Sequence, residues 1–189
     1  SGHGSLNVSE AITNSCNGFF YEVGYQLGLN GDKYDQDLGN EKLAKYASMY
    51  GLNEKSGIEI EESEPQISDA LSVVSAIGQG TNNFTTVGLA RYVTTVANSG
   101  TCYDLTLLDK VTDTSCNLLV NYSANVRNTI DIRKSYWNAI HQVMRGVVQN
   151  KKYYQDFGVE VAGTTGTAEE DKSRPNHGLF VGYAPYDNP

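Results

Sequence analysis

The chain's 189 residues are enough for one domain, or most of one, with a substantial hydrophobic core. With 39% hydrophobic and 10% aromatic residues, including 13 tyrosines, the composition excludes a disordered chain. The formal charge of −8, with its basic residues scattered, leaves no nucleic-acid footprint; no apolar run approaches the ~20 residues of a membrane helix, and no signal-peptide pattern opens the chain.

Asn7 is a helix cap, and Glu10 three positions on completes a capping-box pattern. Val8, Ala11 and Ile12 give that short helix an apolar stripe, and the turn formers Asn14 to Gly18 interrupt it. A second helix carries Phe19, Phe20, Val23 and Leu27 inward and ends near Gly28; a third runs from about Asp35 to Tyr50 and stops at Gly51. The acidic stretch from Gly57 to Ser68 is predicted as an exposed strand and loop. Thr85 or Thr86 caps a helix with Val87, Ala90, Val93 and Ala97 on one face, ending around Asn98 to Gly100. Leu105–Thr112 and Asn117–Tyr122 are predicted to form a hairpin about Asp113, Thr114 and Ser115. Ser135 is predicted to cap an amphipathic helix in which Trp137, Ile140, Val143, Met144, Val147 and Val148 recur at helical spacing. Gly158–Gly163 and Gly178–Tyr183 are predicted strands joined by a polar loop from about Glu169 to His177. Helices first and strands last predict an α+β domain with an antiparallel sheet flanked by helices. Two strands alone make a marginal sheet, so the natural protein is expected to continue beyond Pro189.

Cys16, Cys102 and Cys116 are an odd set with no CxxC spacing, and His3, His141 and His177 lie far apart. Neither a disulfide framework nor a zinc site is predicted by that spacing.

Two stretches carry candidate chemistry. In Val161-Ala162-Gly163-Thr164-Thr165-Gly166-Thr167-Ala168-Glu169, glycines let a ligand lie against the backbone, while threonine hydroxyls and free N–H groups can hold a carboxylate or an oxyanion. Taken alone, the same stretch reads first as a threonine-rich strand with a bulge. Ser15-Cys16-Asn17 can direct a proton-transfer hydroxyl and an amide into one cleft. Ser-x-Asn recurs at Ser5, Ser115 and Ser123, and helix capping explains most such triplets, so context must choose among the four.

The context is a resemblance. Val8 to Gly24 resembles, nearly end to end, the segment around the SxN motif of class B penicillin-binding proteins. Ile77-Gly78-Gln79-Gly80, followed by Thr85 to Gly100, resembles the family's IGQG block and the helix behind its active site. Val161 to Glu169 and then Gly178 to Pro185 resemble its KTG strand and the strand after it. The blocks stand in the family's order and span essentially the whole chain, so residues 1–189 are expected to be part of a transpeptidase domain of the penicillin-binding-protein/beta-lactamase-like fold.

Two departures accompany the likeness. The family's SxxK motif, with the nucleophilic serine and its lysine base, precedes SxN, yet no serine among the 189 residues is followed three positions later by lysine. Thr164 stands where the KTG lysine would be, keeping a hydroxyl and losing the charge.

The resemblance implies D,D-transpeptidation through a serine acyl-enzyme: attack on the penultimate D-alanine carbonyl of a stem pentapeptide, loss of terminal D-alanine, and transfer to a neighbouring amine. It implies Ser15 and Asn17 as catalytic residues, the serine relaying a proton to the leaving amine and the asparagine bonding the substrate amide. It implies substrate binding at Thr164, Thr165, Gly166 and Thr167, with the Thr167 N–H in the oxyanion hole. No metal or organic cofactor is implied. The implied partners are D-Ala-D-Ala stem peptides, beta-lactams and the cell-wall synthesis machinery. The implied place is the extracytoplasmic face of the bacterial membrane, anchored by a segment outside this sequence. A class D-type beta-lactamase or beta-lactam sensor, and a non-catalytic scaffold, are the alternatives.

Overall fold

The computed structural model describes residues 3–154, 156–170 and 172–189. Helix α1, Val8–Thr13, begins at the expected capping box: the Glu10 N–H donates to Asn7 Oδ1 and the Asn7 N–H to Glu10 Oε2, both at 2.9 Å. Its end is abrupt, because Ser15 takes a φ of +50° and turns the chain into α2, Asn17–Leu27. A small hairpin of β1 (Leu29–Asn30) and β2 (Lys33–Tyr34) leads to α3, Gln36–Met49, capped by the Asp35 carboxylate.

The single-turn helix α4, Ser72–Ser75, has no counterpart in the sequence reading, since four residues are too few to show a period. It is nevertheless the piece against which α2 and α3 pack. Ser72 is fully buried; its hydroxyl donates to the Gly24 carbonyl at 2.9 Å and lies 2.8 Å from the Tyr34 hydroxyl, whose proton it can accept. Gly24 and Gly39 admit this approach because neither has a side chain there: a Cβ on Gly24 would stand 2.6 Å from the Ser72 carbonyl oxygen, and one on Gly39 2.5 Å from the Ser72 hydroxyl.

Helix α5, Thr86–Ala97, is capped by Thr85, whose Oγ1 accepts from the Gly88 N–H at 3.0 Å. Its buried face differs from the expected one. Val93 is buried, but Ala90 is exposed while Arg91 and Thr95 are buried. The Arg91 guanidinium donates to the carbonyls of Gly51, Glu54 and Ser56, which is what lets a charged side chain occupy the inward position.

The expected strand within residues 57–68 is absent. Gln66 makes one isolated bridge to Asn83, and Glu62 turns inward, its Oε2 accepting from the Ser56 N–H and hydroxyl at 2.9 and 2.8 Å. The predicted hairpin is shorter than expected: β4 (Lys110–Thr112) pairs with β5 (Leu118–Asn121) around Asp113, whose carboxylate accepts from the Ser115 and Asn117 N–H groups. Around it, β3 (Thr101–Asp104) pairs with β6 (Asn125–Thr129), a ladder the asparagine-rich sequence did not announce.

Helix α6, Lys134–Gln149, starts one residue before the predicted cap: Ser135 lies inside it, and the N-cap residue Arg133 makes no side-chain capping bond. The predicted apolar stripe is the buried face, with Trp137, Val143, Met144, Val147 and Val148 all buried. Strands β7 (Ala162–Ala168) and β8 (His177–Tyr183) pair antiparallel from Ala162↔Tyr183 to Ala168↔His177. β7 begins four residues later than Gly158 because α6 holds the approach: Arg145 donates to the Val161 carbonyl at 3.0 Å and pairs with Glu160 at 2.7 Å. Asp171, in the loop between the two strands, lies outside the described residues. Val93, Val96, Met144 and Ala162 form the buried core where α5 and α6 meet this ladder, flanked by Ile140, Val181 and Tyr183. Burial raises the Tyr183 hydroxyl to a pKa of about 12, with Tyr186 adding to the effect.

Candidate active-site cleft

Three chain segments converge on one cleft of about 590 Å³. The first is the turn from α1 into α2, which contributes Ser15 and Asn17, with Tyr21 one turn further along α2. The second is α4 and the chain after it, contributing Val74, Ile77 and Gln79. The third is the end of β7, with Thr165, Gly166, Thr167 and then Glu169, faced by Asn176 from the following loop.

Each wall is fixed locally. The Gly78–Gly80 turn needs two positive φ angles, +81° and +84°, which only glycine adopts without cost. The buried Ser68 hydroxyl gathers it, bonding Ser75 Oγ at 2.7 Å and accepting from the Thr81 N–H at 3.1 Å. A Cβ on Gly80 would lie 2.5 Å from that oxygen. In β7, a Cβ on Gly163 would stand 2.6 Å from the Phe180 ring, so this glycine lets the aromatic close over the strand.

Ser15, Asn17, Thr165 and Thr167 are exposed and line the same space, although Asn17 and Thr165 are about 150 residues apart in sequence. Alternation along the strand puts Thr165 and Thr167 on one face and Thr164 on the other. Thr164 is half-buried opposite Val181 and is not among the cleft-lining residues. Of the other three Ser-x-Asn serines, Ser115 and Ser123 are exposed around the β4–β5 hairpin and Ser5 is exposed ahead of α1, and none lines the cleft.

The cleft also holds residues to which the sequence assigns no role of their own: Tyr21, Val74, Ile77, Gln79, Asn176, and Glu169 at the end of the KTG-like stretch. Gln79 was visible only as part of its glycine-flanked block. Among the described residues, Glu169 is the sole Asp, Glu, Lys or Arg in the lining, and no lysine or arginine lines the cleft. Among the described residues no three His, Cys, Asp or Glu side chains gather as metal ligands, and the three cysteines are unpaired. No helix of the described residues is long and apolar enough to cross a membrane.

Comparisons with known proteins agree with this architecture. Stage V sporulation protein D of Bacillus subtilis is 28% identical over 201 residues, covering 100% of this chain and 29% of that protein. The peptidoglycan D,D-transpeptidase MrdA of Haemophilus influenzae is 26% identical over 228 residues, covering 100% of this chain and 32% of the relative. The chain thus spans about a third of the length of these relatives. Among solved structures, penicillin-binding protein 2B of Streptococcus pneumoniae superposes with a TM-score of 0.83 at 24% identity, over 97% of this chain and 34% of that one. The D,D-transpeptidase domain of a peptidoglycan glycosyltransferase from Eggerthella lenta superposes with a TM-score of 0.79 at 24% identity, over 100% of this chain and 48% of that one. The family model for the penicillin-binding protein transpeptidase domain matches residues 1–189, and the chain belongs to that family.

Proposed function

We propose that these residues form the SxN and KTG walls of a peptidoglycan D,D-transpeptidase cleft, which works with a nucleophilic serine supplied outside this sequence. The observation that carries the reading is the convergence of Ser15 and Asn17 with Thr165, Gly166 and Thr167 on a single cleft.

In this reading the Ser15 hydroxyl relays a proton to the departing amine and the Asn17 amide bonds the backbone of the substrate. The Thr165 and Thr167 hydroxyls share one strand face and hold the terminal carboxylate of a D-Ala-D-Ala stem peptide, or its equivalent in a beta-lactam. Gly166 between them leaves room for the ligand to lie on the backbone. β7 has a single strand partner among the described residues, so its other edge retains N–H groups; that of Thr167 serves as one oxyanion donor. Thr164 occupies the lysine position without supplying a cation. The membership of relatives such as MrdA in peptidoglycan synthesis supports placing the parent protein at the extracytoplasmic face of the cell membrane, among the cell-wall synthesis machinery.

The test is labelling with a fluorescent penicillin followed by a denaturing gel. The full-length protein takes a covalent label that peptide mapping assigns to a serine outside these 189 residues, and the isolated chain takes none. A label on any serine of this chain, or none on the full-length protein, would overturn the assignment.

A further inference from the structure

A separate cavity of about 280 Å³ lies where α6 meets the chain leading into β7, and it shares no lining residue with the cleft. Part of its wall is aromatic. Tyr154 stacks on Phe180 at 4.9 Å and on Phe157 at 6.0 Å, and Phe157 remains 53% exposed. The polar part of the wall is an ion pair held in place by backbone. Arg145 pairs with Glu160 Oε1 at 2.7 Å and donates to the Val161 carbonyl at 3.0 Å, while the Tyr186 N–H donates to the Glu160 carbonyl at 2.8 Å. Glu160 Oε2 accepts no hydrogen bond among the described residues, and the side chain is 55% exposed.

The aromatic row starts on the same face of the β7–β8 ladder as the cleft hydroxyls. Alternation places Gly163 with Thr165 and Thr167, and Phe180 lies across Gly163, where a Cβ would stand 2.6 Å from its ring. Glu160 and Thr165 are five residues apart, and five residues of extended chain span at most about 17 Å. A stem pentapeptide whose terminal carboxylate lies at Thr165 and Thr167 has the same length, so its attached end can reach this cavity.

We propose that the cavity is a glycan subsite, taking a neutral pyranose ring of the sugar strand that carries the stem peptide. The inference rests on the transpeptidase reading above, which supplies the peptide and its direction. A pyranose presents an apolar C–H face, which suits the open ring of Phe157, and a rim of hydroxyls, which can donate to Glu160 Oε2. Arg145 neutralises Glu160, so the rim offers hydrogen bonds without selecting a charged ligand. The volume suits a single sugar ring rather than a longer chain.

The experiment is a titration of the full-length protein with the β-1,4-linked tetramer of N-acetylglucosamine, followed by saturation-transfer NMR. The tetramer is expected to bind the wild type and Phe157→Tyr alike, and to bind Phe157→Ala about fivefold or more weakly, the scale of one lost aromatic contact. No binding to the wild type, undiminished binding to Phe157→Ala, or an equal loss in Phe157→Tyr would overturn the subsite. Penicillin labelling of the same wild-type preparation reads the cleft separately, so failure of the transpeptidase reading shows there and not in the titration.

Discussion

Gly24 and Gly146 are both helical glycines, and the same substitution should act on them in opposite directions. In a helix interior, glycine to alanine gains about 0.5–1 kcal/mol by restricting the unfolded backbone. At Gly146 in α6 a new Cβ meets nothing within 4 Å, so Gly146→Ala should realise that gain. At Gly24 in α2 the new Cβ would stand 2.6 Å from the Ser72 carbonyl oxygen, 2.8 Å from Val73 Cα and 2.9 Å from Ala76 Cβ. Two of these atoms are backbone and cannot rotate away, so α2 and α4 must separate by about 1 Å to restore van der Waals contact. Overpacking of this kind costs about 1–3 kcal/mol, which outweighs the helical gain and leaves a net loss of roughly 0.5–2 kcal/mol. The displacement also moves Asn17 and Tyr21 on α2 away from Val74 on α4, widening the cleft. Urea midpoints of the full-length variants against wild type, with the rate of penicillin acylation on each, check both parts. A Gly24→Ala variant as stable as Gly146→Ala, with unchanged acylation, would refute the view that the α2–α4 approach is closed to a methyl group.

Thr164→Lys in the full-length protein should raise the second-order rate of penicillin acylation about tenfold or more, the size of one charge-assisted hydrogen bond to the ligand carboxylate; an unchanged rate would mean that a lysine at this position does not reach the cleft. Arg91→Ala should cost about 3 kcal/mol or more, measured as a fall in the urea midpoint, because it removes the donors from three carbonyls and leaves a cavity. Hydrogen bonding from Arg127 lowers the pKa of Glu54 from its usual 4.5, so the pair stabilises the fold at neutral pH and that contribution is lost as pH falls below about 4.5. Arg127→Gln should therefore narrow the stability gap between pH 7 and pH 3, as read from melting temperatures at the two values.

Elements with a strong period or an explicit terminal signal were legible in the sequence. The Asn7–Glu10 capping box, the Thr85 cap and the apolar stripe of α6 each act within a few residues, so local chemistry decides them. The misreadings arose where a distant partner decides. Arg91 faces inward only because carbonyls at residues 51, 54 and 56 wait for it, and Glu62 does so because Ser56 supplies two donors. β3 and β6 find one another across an intervening hairpin, a pairing that neither strand's composition encodes. The candidate site was legible for a different reason. Its SxN and KTG-like stretches stand as ordered blocks in the sequence, the second ending at Glu169 with no role of its own, whereas Asn176 has no local pattern and is visible only through the cleft it lines.

The cleft walls also explain why so much of the site is written in small residues. Apolar stripes bring helices together with tolerance, since side chains can repack over a broad contact. The walls here are set instead by backbone approaches with a polar group at the contact: Gly24 and Gly39 against Ser72, and Gly80 against Ser68. Such contacts allow little slack, because a methyl group added at any of the three glycines falls 2.5 or 2.6 Å from an oxygen atom. Close contacts of that kind keep the α2 and α4 walls of the cleft at a set spacing, and productive geometry at a site assembled from distant segments is sensitive to displacements of about 1 Å. Thr164, on the face of β7 away from the cleft, can differ in charge from lysine without altering the frame that presents Thr165 and Thr167. A change on that side of the strand leaves the cleft-facing hydroxyls where they are, while glycines and buried serines elsewhere keep the spacing of the walls.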